Sequence, residues 1–434
     1  MDSGIEEDII SEVAKNKEFL IDVTRELIRL PTVNPPKKPK EEWKRFSDYG
    51  AAARYLRQQI RKIGITHVEV KNTPIRVVRE HYKDTETLHR PNVLCSLGDS
   101  EATGVHLNGH YDTVPTDPTR WRITRPFKPV VRGNRIYGLG ASDMKAGVAS
   151  ILCVLKVLRN LGVPIRKSVS ASFTCDEETG GQAGVGYLAC ARMIGADYAV
   201  IAEPAQPHMV KHGIKGRLWL KITTKGKEAH ASQPHLGINA FEKLVDATLA
   251  IRELARKELS RVKTKYNAED KPSACTTVAL GGEVNGGTKV STVPGSCTMS
   301  LDCRFIPEFR SREVERKIRR CLEALEQSDP SFDFEMDTDS VDEPVVFRSD
   351  SKVFSVLKDA HARIFKTPPN LVISSGANDS VFLARRRIPT AVYGPGLSEQ
   401  AHRVDEFVKV NDLVRTTQVL ALAVYSLTQE KSSN

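Results

Sequence analysis

The sequence lacks a long uncharged apolar run, although it has 434 residues and 40% of them are hydrophobic. A membrane-spanning helix needs about 20 such residues, so we expect no membrane span. The first residues are acidic and lack the basic and apolar regions of a secretory signal peptide. The eight cysteines include no Cys-x-x-Cys pair and lie in apolar or alternating segments. They indicate buried thiols in a reducing compartment, by default the cytoplasm.

Neither a basic tail nor an RNA-binding signature is present, although the formal net charge is +10. Lysine and arginine are spread along the chain beside a comparable number of acids, which predicts a solvated surface that attracts small anions rather than a nucleic-acid partner. Internal repeats and low-complexity runs are also missing. The basic stretch at residues 76–90 has no assignable role, and residues 35–40 are predicted to form a stiff, solvated loop.

The two ends of the chain alternate short apolar strands with amphipathic helices. Helices are predicted at residues 9–30, 145–161 and 352–365 and from about residue 411, and strands at residues 93–95, 105–107, 168–175, 198–201, 371–374 and 390–393. Apolar strands that alternate with helices are typical of an α/β layer. We therefore expect a mainly parallel central sheet flanked by helices.

The rhythm changes between about residues 213 and 337. Strands are predicted at residues 217–224, 275–280, 297–305 and 332–336, and helices at residues 238–259 and 311–327. This β-α-β-β-α-β order is that of a ferredoxin-like α+β unit. Since 434 residues suffice for two domains with separate cores, we predict a discontinuous first domain, residues 1–212 and 338–434, with residues 213–337 inserted as a second domain.

The strongest local signal is His110, which follows an apolar strand and a glycine, with Asp112 two residues later. Alternation along an extended chain would point both side chains to the same side. A metal-binding histidine needs such a carboxylate to orient its second ring nitrogen. The alternative is an ordinary surface histidine in a loop at the end of a strand.

Acids or a second histidine follow other predicted strands. Asp143 stands in a small-residue turn before a helix, where capping is the plain alternative. Glu177 and Glu178 belong to a run of three acids that ends another strand, Glu203 ends the next, and His402 follows a glycine-rich loop. Active sites of open α/β sheets lie at such strand ends. Two histidines with several carboxylates form a mixed N/O ligand set suited to zinc, cobalt or manganese.

These blocks, His-x-Asp, Ser-Asp-Met-Lys, Asp-Glu-Glu-x-x-Gly, Ala-Glu-Pro and a late Ala-His, together resemble the family of zinc aminoacylases, bacterial carboxypeptidase G, acetylornithine deacetylase and succinyl-diaminopimelate desuccinylase. The resemblance extends over nearly the whole chain. It implies that the first domain is catalytic and that the inserted domain is a lid through which a homodimer forms. It also implies a cis peptide bond after Asp143.

The resemblance further implies two divalent metal ions, zinc first, with cobalt or manganese as alternatives. Asp143 would bridge them. His110 and Glu203 would complete the ligands of one ion, and Glu178 and His402 those of the other.

Three further roles are implied by the resemblance, beside the orientation of His110 by Asp112. Glu177 would be the general base, accepting a proton from the attacking water and delivering it to the leaving nitrogen. His230 would stabilise the oxyanion, and Arg304 would bind the substrate carboxylate with its bidentate fork. Arg304 has an alternative as a strand arginine paired with Asp302 or Glu283.

Two loops that would contact the substrate depart from the family pattern. Ser291 replaces the usual asparagine before a Val-Pro pair, and Gly376 lies in a Ser-Ser-Gly-Ala-Asn-Asp loop that is usually Gly-Gly-Thr-x-Asp. The first hypothesis is therefore hydrolysis of an amide C–N bond in a small N-acyl amino acid or dipeptide-like carboxylate. The second is a hydrolytic deaminase that releases ammonia from an amino-substituted aromatic or heterocyclic carboxylate. A non-catalytic binding protein is disfavoured, because neither the base nor any ligand is missing.

Overall fold

The computed structural model describes residues 3–34, 47–81 and 89–429. The loop predicted at residues 35–40 and residues 82–88 of the basic stretch lie outside this range. The chain forms two compact units. The first comprises Met1–His212, Phe347–Leu371 and Asn378–Asn434, and the second Gly213–Val346 and Val372–Ala377.

The first unit contains nine helices among its described residues. These are α1 (Ser3–Lys15), α2 (Lys17–Arg29), α3 (Tyr49–Lys62), α4 (Ile75–His81), α5 (Ala146–Leu161), α6 (Tyr187–Cys190), α9 (Lys352–Phe365), α10 (Ser380–Arg385) and α11 (Val410–Thr428). Its strands are β1 (Val68–Asn72), β2 (Pro91–Leu97), β3 (Thr103–His110), β4 (Val130–Arg132), β5 (Arg135–Tyr137), β6 (Ser168–Thr174), β7 (Tyr198–Pro204), β8 (Met209–Ile214, whose last two residues belong to the second unit), β17 (Thr390–Gly394) and β18 (Phe407–Lys409).

The large sheet of the first unit has the strand order β1-β2-β6-β3-β7-β17-β8. The four central strands, β6, β3, β7 and β17, are parallel, and the strands on either side of them are antiparallel. The predicted mainly parallel centre is confirmed. Because parallel strands end at one edge of a sheet, the segments that follow β3, β6, β7 and β17 meet there.

Helix α5 is the best-buried helix of the first unit. Twelve of its sixteen residues are buried, so it is apolar nearly all round, as a helix enclosed in a core must be. Its second residue, Gly147, lies so close to β7 that an added Cβ would stand 2.0 Å from the carbonyl oxygen of Ala202. Any larger residue there would push the start of α5 away from the end of β7.

The second unit is an α+β layer with its own core. Its strands are β9 (Gly216–Lys225), β10 (Ala229–His230), β11 (Thr277–Gly286), β12 (Thr292–Val293), β13 (Ser296–Phe305), β14 (Asp333–Asp342) and β15 (Val345–Val346), and its helices are α7 (Ala240–Leu254) and α8 (Ser311–Ser328). Strand β16 (Asn370–Ser374) begins in the first unit and ends in the second. The four-stranded sheet has the order β11-β13-β9-β14 and is antiparallel throughout. Residues alternate between buried and half-buried along β9 and β13. The ferredoxin-like β-α-β-β-α-β order is confirmed.

Two predicted boundaries differ from the structure. The single helix expected at residues 9–30 is two helices, because Asn16 leaves helical geometry and its side-chain amide donates to the carbonyl of Glu12 at 2.9 Å. Strand β14 continues to Asp342, past the expected domain end at residue 337, and there the Asp342 carboxylate forms an ion pair of 2.6 Å with Arg217 of β9. Among the described helices, none combines the length and the apolar character that crossing a membrane requires.

Candidate metal centre

His110 ends β3, and its imidazole is buried at the edge where the parallel strands finish. Its Nε2 lies 3.1 Å from Oδ1 of Asp143 and 3.8 Å from Oε2 of Glu177. On the other side of the ring, Nδ1 lies 3.2 Å from the carbonyl oxygen and 3.5 Å from Oδ1 of Asp112. A hydrogen bond at Nδ1 orients the ring so that Nε2 faces the neighbouring carboxylates.

Asp112 also organises the turn that follows β6. Its Oδ1 accepts a hydrogen bond from the backbone nitrogen of Glu177 at 3.3 Å, and its Oδ2 accepts one from the backbone nitrogen of Glu178 at 3.1 Å. Oδ2 also accepts a hydrogen bond from the side-chain amide of Asn34. One buried carboxylate therefore positions both a histidine and the backbone of two glutamates.

Asp143 stands in the turn immediately before α5, and the peptide bond between Asp143 and Met144 is cis, as the resemblance implied. The turn is held by the buried carboxylate of Glu406. Its Oε1 accepts hydrogen bonds from the backbone nitrogens of Ser142 at 2.7 Å and Asp143 at 3.0 Å, and its Oε2 accepts one from Gly140 at 2.8 Å. The Glu406 carboxylate thus accepts hydrogen bonds from three backbone N–H groups that precede α5 and have no acceptor within that helix.

Glu203 is buried at the end of β7, and His402 is about half exposed in the loop between β17 and β18. His402 Nε2 lies 2.8 Å from Oε2 of Glu178 and 3.7 Å from Oδ2 of Asp143. Two groups of potential ligand atoms overlap at His110. One joins it to Asp143 and Glu178, the other to Glu177 and Glu203, and the atoms of each group lie within 4.8 Å of one another.

The crowding of carboxylates perturbs their protonation. Burial and the charge of Glu203 raise the pKa of Glu177 well above its usual range, and burial and Asp143 raise the pKa of Glu178. Burial, with the charge of Asp143, raises the pKa of Glu203 to about 8. The hydrogen bond with Glu178 raises the pKa of His402 to about 9. Without a counter-charge, the site therefore holds protons near neutral pH.

These residues fit divalent metal ions. Two imidazoles and several carboxylates form the N/O ligand set typical of zinc, cobalt or manganese. Oε1 of Glu203 is buried and has no hydrogen-bond partner among the described residues. A cation would both bind this oxygen and relieve the repulsion that raises the carboxylate pKa values.

The sequence patterns missed four residues at or beside this cluster. Glu406 lay within a noted His402 block without a role, and Asn34 stood outside every motif. Asp379 is buried, burial raises its pKa well above the ordinary range, and its Oδ2 has no hydrogen-bond partner among the described residues. Lys211 is buried on β8, with Nζ 3.3 Å from Oγ of Ser398, and its charge lowers the pKa of Asp143. The sequence analysis did predict that the loop containing Asp379 contacts the substrate, but it gave that role to Gly376 and none to Asp379.

The other predicted site residues lie in the second unit. His230 is exposed on β10 and pairs with Thr292 of β12, and Ser291 accepts a hydrogen bond through its carbonyl from Ala231 at 3.0 Å. The structure thus brings His230 and Ser291 together. Gly376 is exposed.

Arg304 lies on β13 and donates two hydrogen bonds to the Asp302 carboxylate, from Nε to Oδ1 at 2.7 Å and from Nη2 to Oδ2 at 3.0 Å. This is the alternative pairing considered above. Its role toward a substrate stays a prediction.

The sequence matches the model of peptidase family M20/M25/M40 over residues 106–426. Acetylornithine deacetylase of Photorhabdus laumondii is 30% identical over 341 residues, which cover 77% of this chain and 83% of the relative. Dipeptidase Dug1p from Saccharomyces cerevisiae superposes with a TM-score of 0.76 at 15% identity, covering 98% of this chain and 99% of the other. A dinuclear metal-binding peptidase of the M20 family from Bacillus subtilis superposes with a TM-score of 0.65 at 17% identity, covering 95% and 99%.

Proposed function

Because the chain belongs to peptidase family M20/M25/M40, we propose that it hydrolyses the amide C–N bond of a small N-acyl amino acid or dipeptide-like carboxylate. Membership confirms the resemblance inferred from the motifs and makes the chain a metal-dependent hydrolase of C–N bonds. The observation that carries the proposal is the meeting of His110, Asp143, Glu178, Glu203 and His402 around Glu177.

The proposed ligands divide into two sets that share Asp143. His110 and Glu203 complete one set, and Glu178 and His402 the other. The contacts of Asp143 Oδ1 with His110 and of Asp143 Oδ2 with His402 support this division, since one carboxylate then faces both histidines with different oxygens. Two divalent ions, zinc first, would supply Lewis acidity to a carbonyl oxygen and lower the pKa of water.

Glu177 is the proposed general base. Its backbone is fixed by Asp112, while its carboxylate, with a pKa raised by burial and by Glu203, stays close to His110 without an ion pair to a lysine or arginine among the described residues. A raised pKa suits a group that takes a proton from water and then gives it to the leaving nitrogen. Asp112 keeps His110 oriented during both steps.

The proposed substrate contacts come from the second unit, which we assign as a lid and dimerisation domain, the first unit being the catalytic domain. His230 would stabilise the oxyanion, and the contact of its Nδ1 with Oγ of Ser232 at 2.7 Å supports a fixed ring orientation. Arg304 would exchange its pairing with Asp302 for the substrate carboxylate. Ser291 and Gly376 would also contact the substrate.

The proposed homodimer forms through the second unit. Phe241, Val245 and Leu249 recur every four residues on α7 and are 52%, 41% and 46% exposed, and β11 is a largely exposed edge strand. A second copy could cover the helix face and continue the sheet edge. Sedimentation of Phe241→Asp should give a monomer. Val131→Asp, on an exposed position of the first unit, should remain dimeric.

A cytoplasmic location is supported by the eight cysteines, all of which are free thiols.

A deaminase remains the second candidate, because the loop around Gly376 is engaged by its own chain. The Glu269 carboxylate oxygen Oε2 accepts hydrogen bonds from the backbone nitrogen of Ser375 at 3.0 Å and from its hydroxyl at 3.1 Å. Donors of a loop expected to contact substrate are thus already occupied, which favours a substrate with a different arrangement of polar groups.

A product assay separates the two candidates. Metal-loaded protein is incubated with N-acyl amino acids, dipeptides and amino-substituted aromatic acids, and carboxylic-acid or amino-acid release is scored separately from ammonia. Acid or amino-acid release that stops on chelation supports the amidohydrolase. Ammonia formed together with the hydroxy- or oxo-substituted carboxylate, without release of an acyl acid or an amino acid, overturns it in favour of the deaminase. No release from any substrate class contradicts both.

A further inference from the structure

Five buried polar side chains form a connected network behind the Glu177–Glu178 turn. They come from distant parts of the first unit, and each is at most 2% exposed: Asn34, Tyr49, Arg90, Asp112 and Asp176. Only Asp112 belongs to the predicted site. Burying this many polar groups is unfavourable unless each is satisfied by another, so their arrangement is specific.

One arm of the network leads from Tyr49 to the two glutamates. The Tyr49 hydroxyl donates to Oδ1 of Asn34, and the Asn34 amide donates to Oδ2 of Asp112. Asp112 in turn accepts the backbone N–H groups of Glu177 and Glu178. Burial raises the pKa of Tyr49 well above its ordinary value, so its hydroxyl remains a donor at any physiological pH.

The other arm leads from Arg90 to the start of the same turn. Nε of Arg90 lies 3.3 Å from Oδ1 of Asp176, the residue before Glu177. The second oxygen of Asp176 accepts the backbone N–H of Ala183 at 2.8 Å. Asp176 has a φ of 88°, a left-handed conformation that is uncommon outside glycine, although aspartate adopts it more readily than most residues.

Arg90 closes the network, because its guanidinium lies over the ring of Tyr49 at 4.9 Å from the centroid. The Glu177–Glu178 turn is therefore held from both ends through one buried arginine. A buried ion pair contributes little net stability compared with apolar residues of similar size. The ion pair between Arg90 and Asp176 is better explained by the precise placement of the Glu177–Glu178 turn.

We infer that Arg90 and Tyr49 are positioning residues of the metal centre, acting through Asp176 and through Asn34 and Asp112 to place Glu177 and Glu178. The inference rests on the proposed function. It gives Arg90, at the end of the otherwise unassigned basic stretch, a role that does not involve any contact with substrate.

The decisive variant is Tyr49→Phe, which keeps the ring beneath Arg90 and removes only the hydroxyl. Its matched control is Tyr55→Phe on the same helix, α3. Arg90→Lys, with Arg57→Lys as its control at an exposed position of α3, tests the second arm. Metal-free proteins are titrated with zinc and with cobalt, cobalt binding is followed by its visible absorption spectrum, and kcat and KM are measured on the loaded proteins.

We expect Tyr49→Phe and Arg90→Lys to raise the metal Kd by about 10- to 100-fold, as changes beyond the direct ligands do. They should alter the cobalt spectrum and lower kcat with little change in KM, whereas both controls should match the wild type. A Tyr49→Phe protein with a lower melting temperature but wild-type metal Kd, spectrum and kcat would show a merely structural role and overturn the inference. If the wild type itself binds no metal, the proposed function fails instead.

Discussion

Oε1 of Glu406 accepts a hydrogen bond of 3.0 Å from the backbone nitrogen of Asp143, although the two residues are far apart in sequence. This contact joins the loop of His402 to the turn that carries the proposed bridging ligand. Burial raises the pKa of Glu406 to about 8, and the three backbone N–H donors oppose that rise. Glu406 therefore links the two segments that carry His402 and Asp143 without being one of the proposed ligands.

Replacing Glu406 by Gln should weaken metal binding by about 10- to 100-fold, since an NH₂ group would then face backbone N–H donors. Isothermal titration of the metal-free protein with zinc measures the change. Glu399→Gln, at an exposed position in the same loop, is the control and should bind as the wild type does. Equal affinities in the two variants would contradict the positioning role.

Glu177→Gln should lower kcat by about 10²- to 10⁴-fold, the usual contribution of a general acid–base group. The amide cannot accept the proton of the attacking water, but it retains the shape of the side chain. Elemental analysis should find the wild-type metal content in the variant. Glu101→Gln, at an exposed position, provides the comparison. If turnover survives at a near-wild-type rate, another group is the base.

Glu203→Gln should stabilise the metal-free protein relative to the wild type, and increasingly so as the pH rises. The folded-state pKa of Glu203 is raised from 4.5 to about 8, so its contribution to stability is fully present below pH 4.5 and is lost as the pH rises through about 8. Glutamine does not ionise and suffers no such loss. The difference at pH 8.5 should be on the order of 1 kcal/mol or more.

Urea denaturation in the presence of a chelator, at pH 5 and at pH 8.5, measures this difference. With zinc added the order should reverse, because only the wild type keeps all five proposed ligands. A difference between the two proteins that stays constant with pH would show that Glu203 is not protonated in the folded metal-free state.

His230→Ala should lower kcat by about 10²- to 10³-fold, as the loss of one oxyanion donor does, with a smaller effect on KM. His235→Ala removes a second exposed histidine from the same loop and should leave both constants unchanged. Steady-state kinetics of the two variants, on whichever substrate the product assay identifies, decides the matter. Similar losses in both would indicate a general disturbance of the loop.

Much of the fold was predictable because each element carries its own local pattern. Apolar strands ended by glycine or acids located His110, Glu178 and Glu203 at one sheet edge, and the two helices of the second unit showed clear apolar spacing. The break at Asn16 was not predicted, since apolar spacing continues through it and only the side-chain contact with Glu12 reveals it.

The residues that support the metal centre were harder to predict for a physical reason. The partners of Asn34, Arg90 and Glu406 lie far away in sequence, and no local periodicity records a contact of that kind. Arg90 in particular stood in a basic stretch to which the sequence analysis assigned no role, whereas its guanidinium is buried with Asp176. Only the folded chain shows that this arginine is buried.

The strand order of the large sheet has a consequence for how the protein is made. The proposed ligands span the chain from His110 to His402. In sequence, the complete second unit lies between β7, which carries Glu203, and the loop after β17, which carries His402. During synthesis, the first four proposed ligands emerge from the ribosome before the second unit does. The fifth, His402, is made only after the second unit has been synthesised. The set formed by His110, Asp143 and Glu203 is therefore available before the second unit is made, whereas the set that needs His402 is completed only after it.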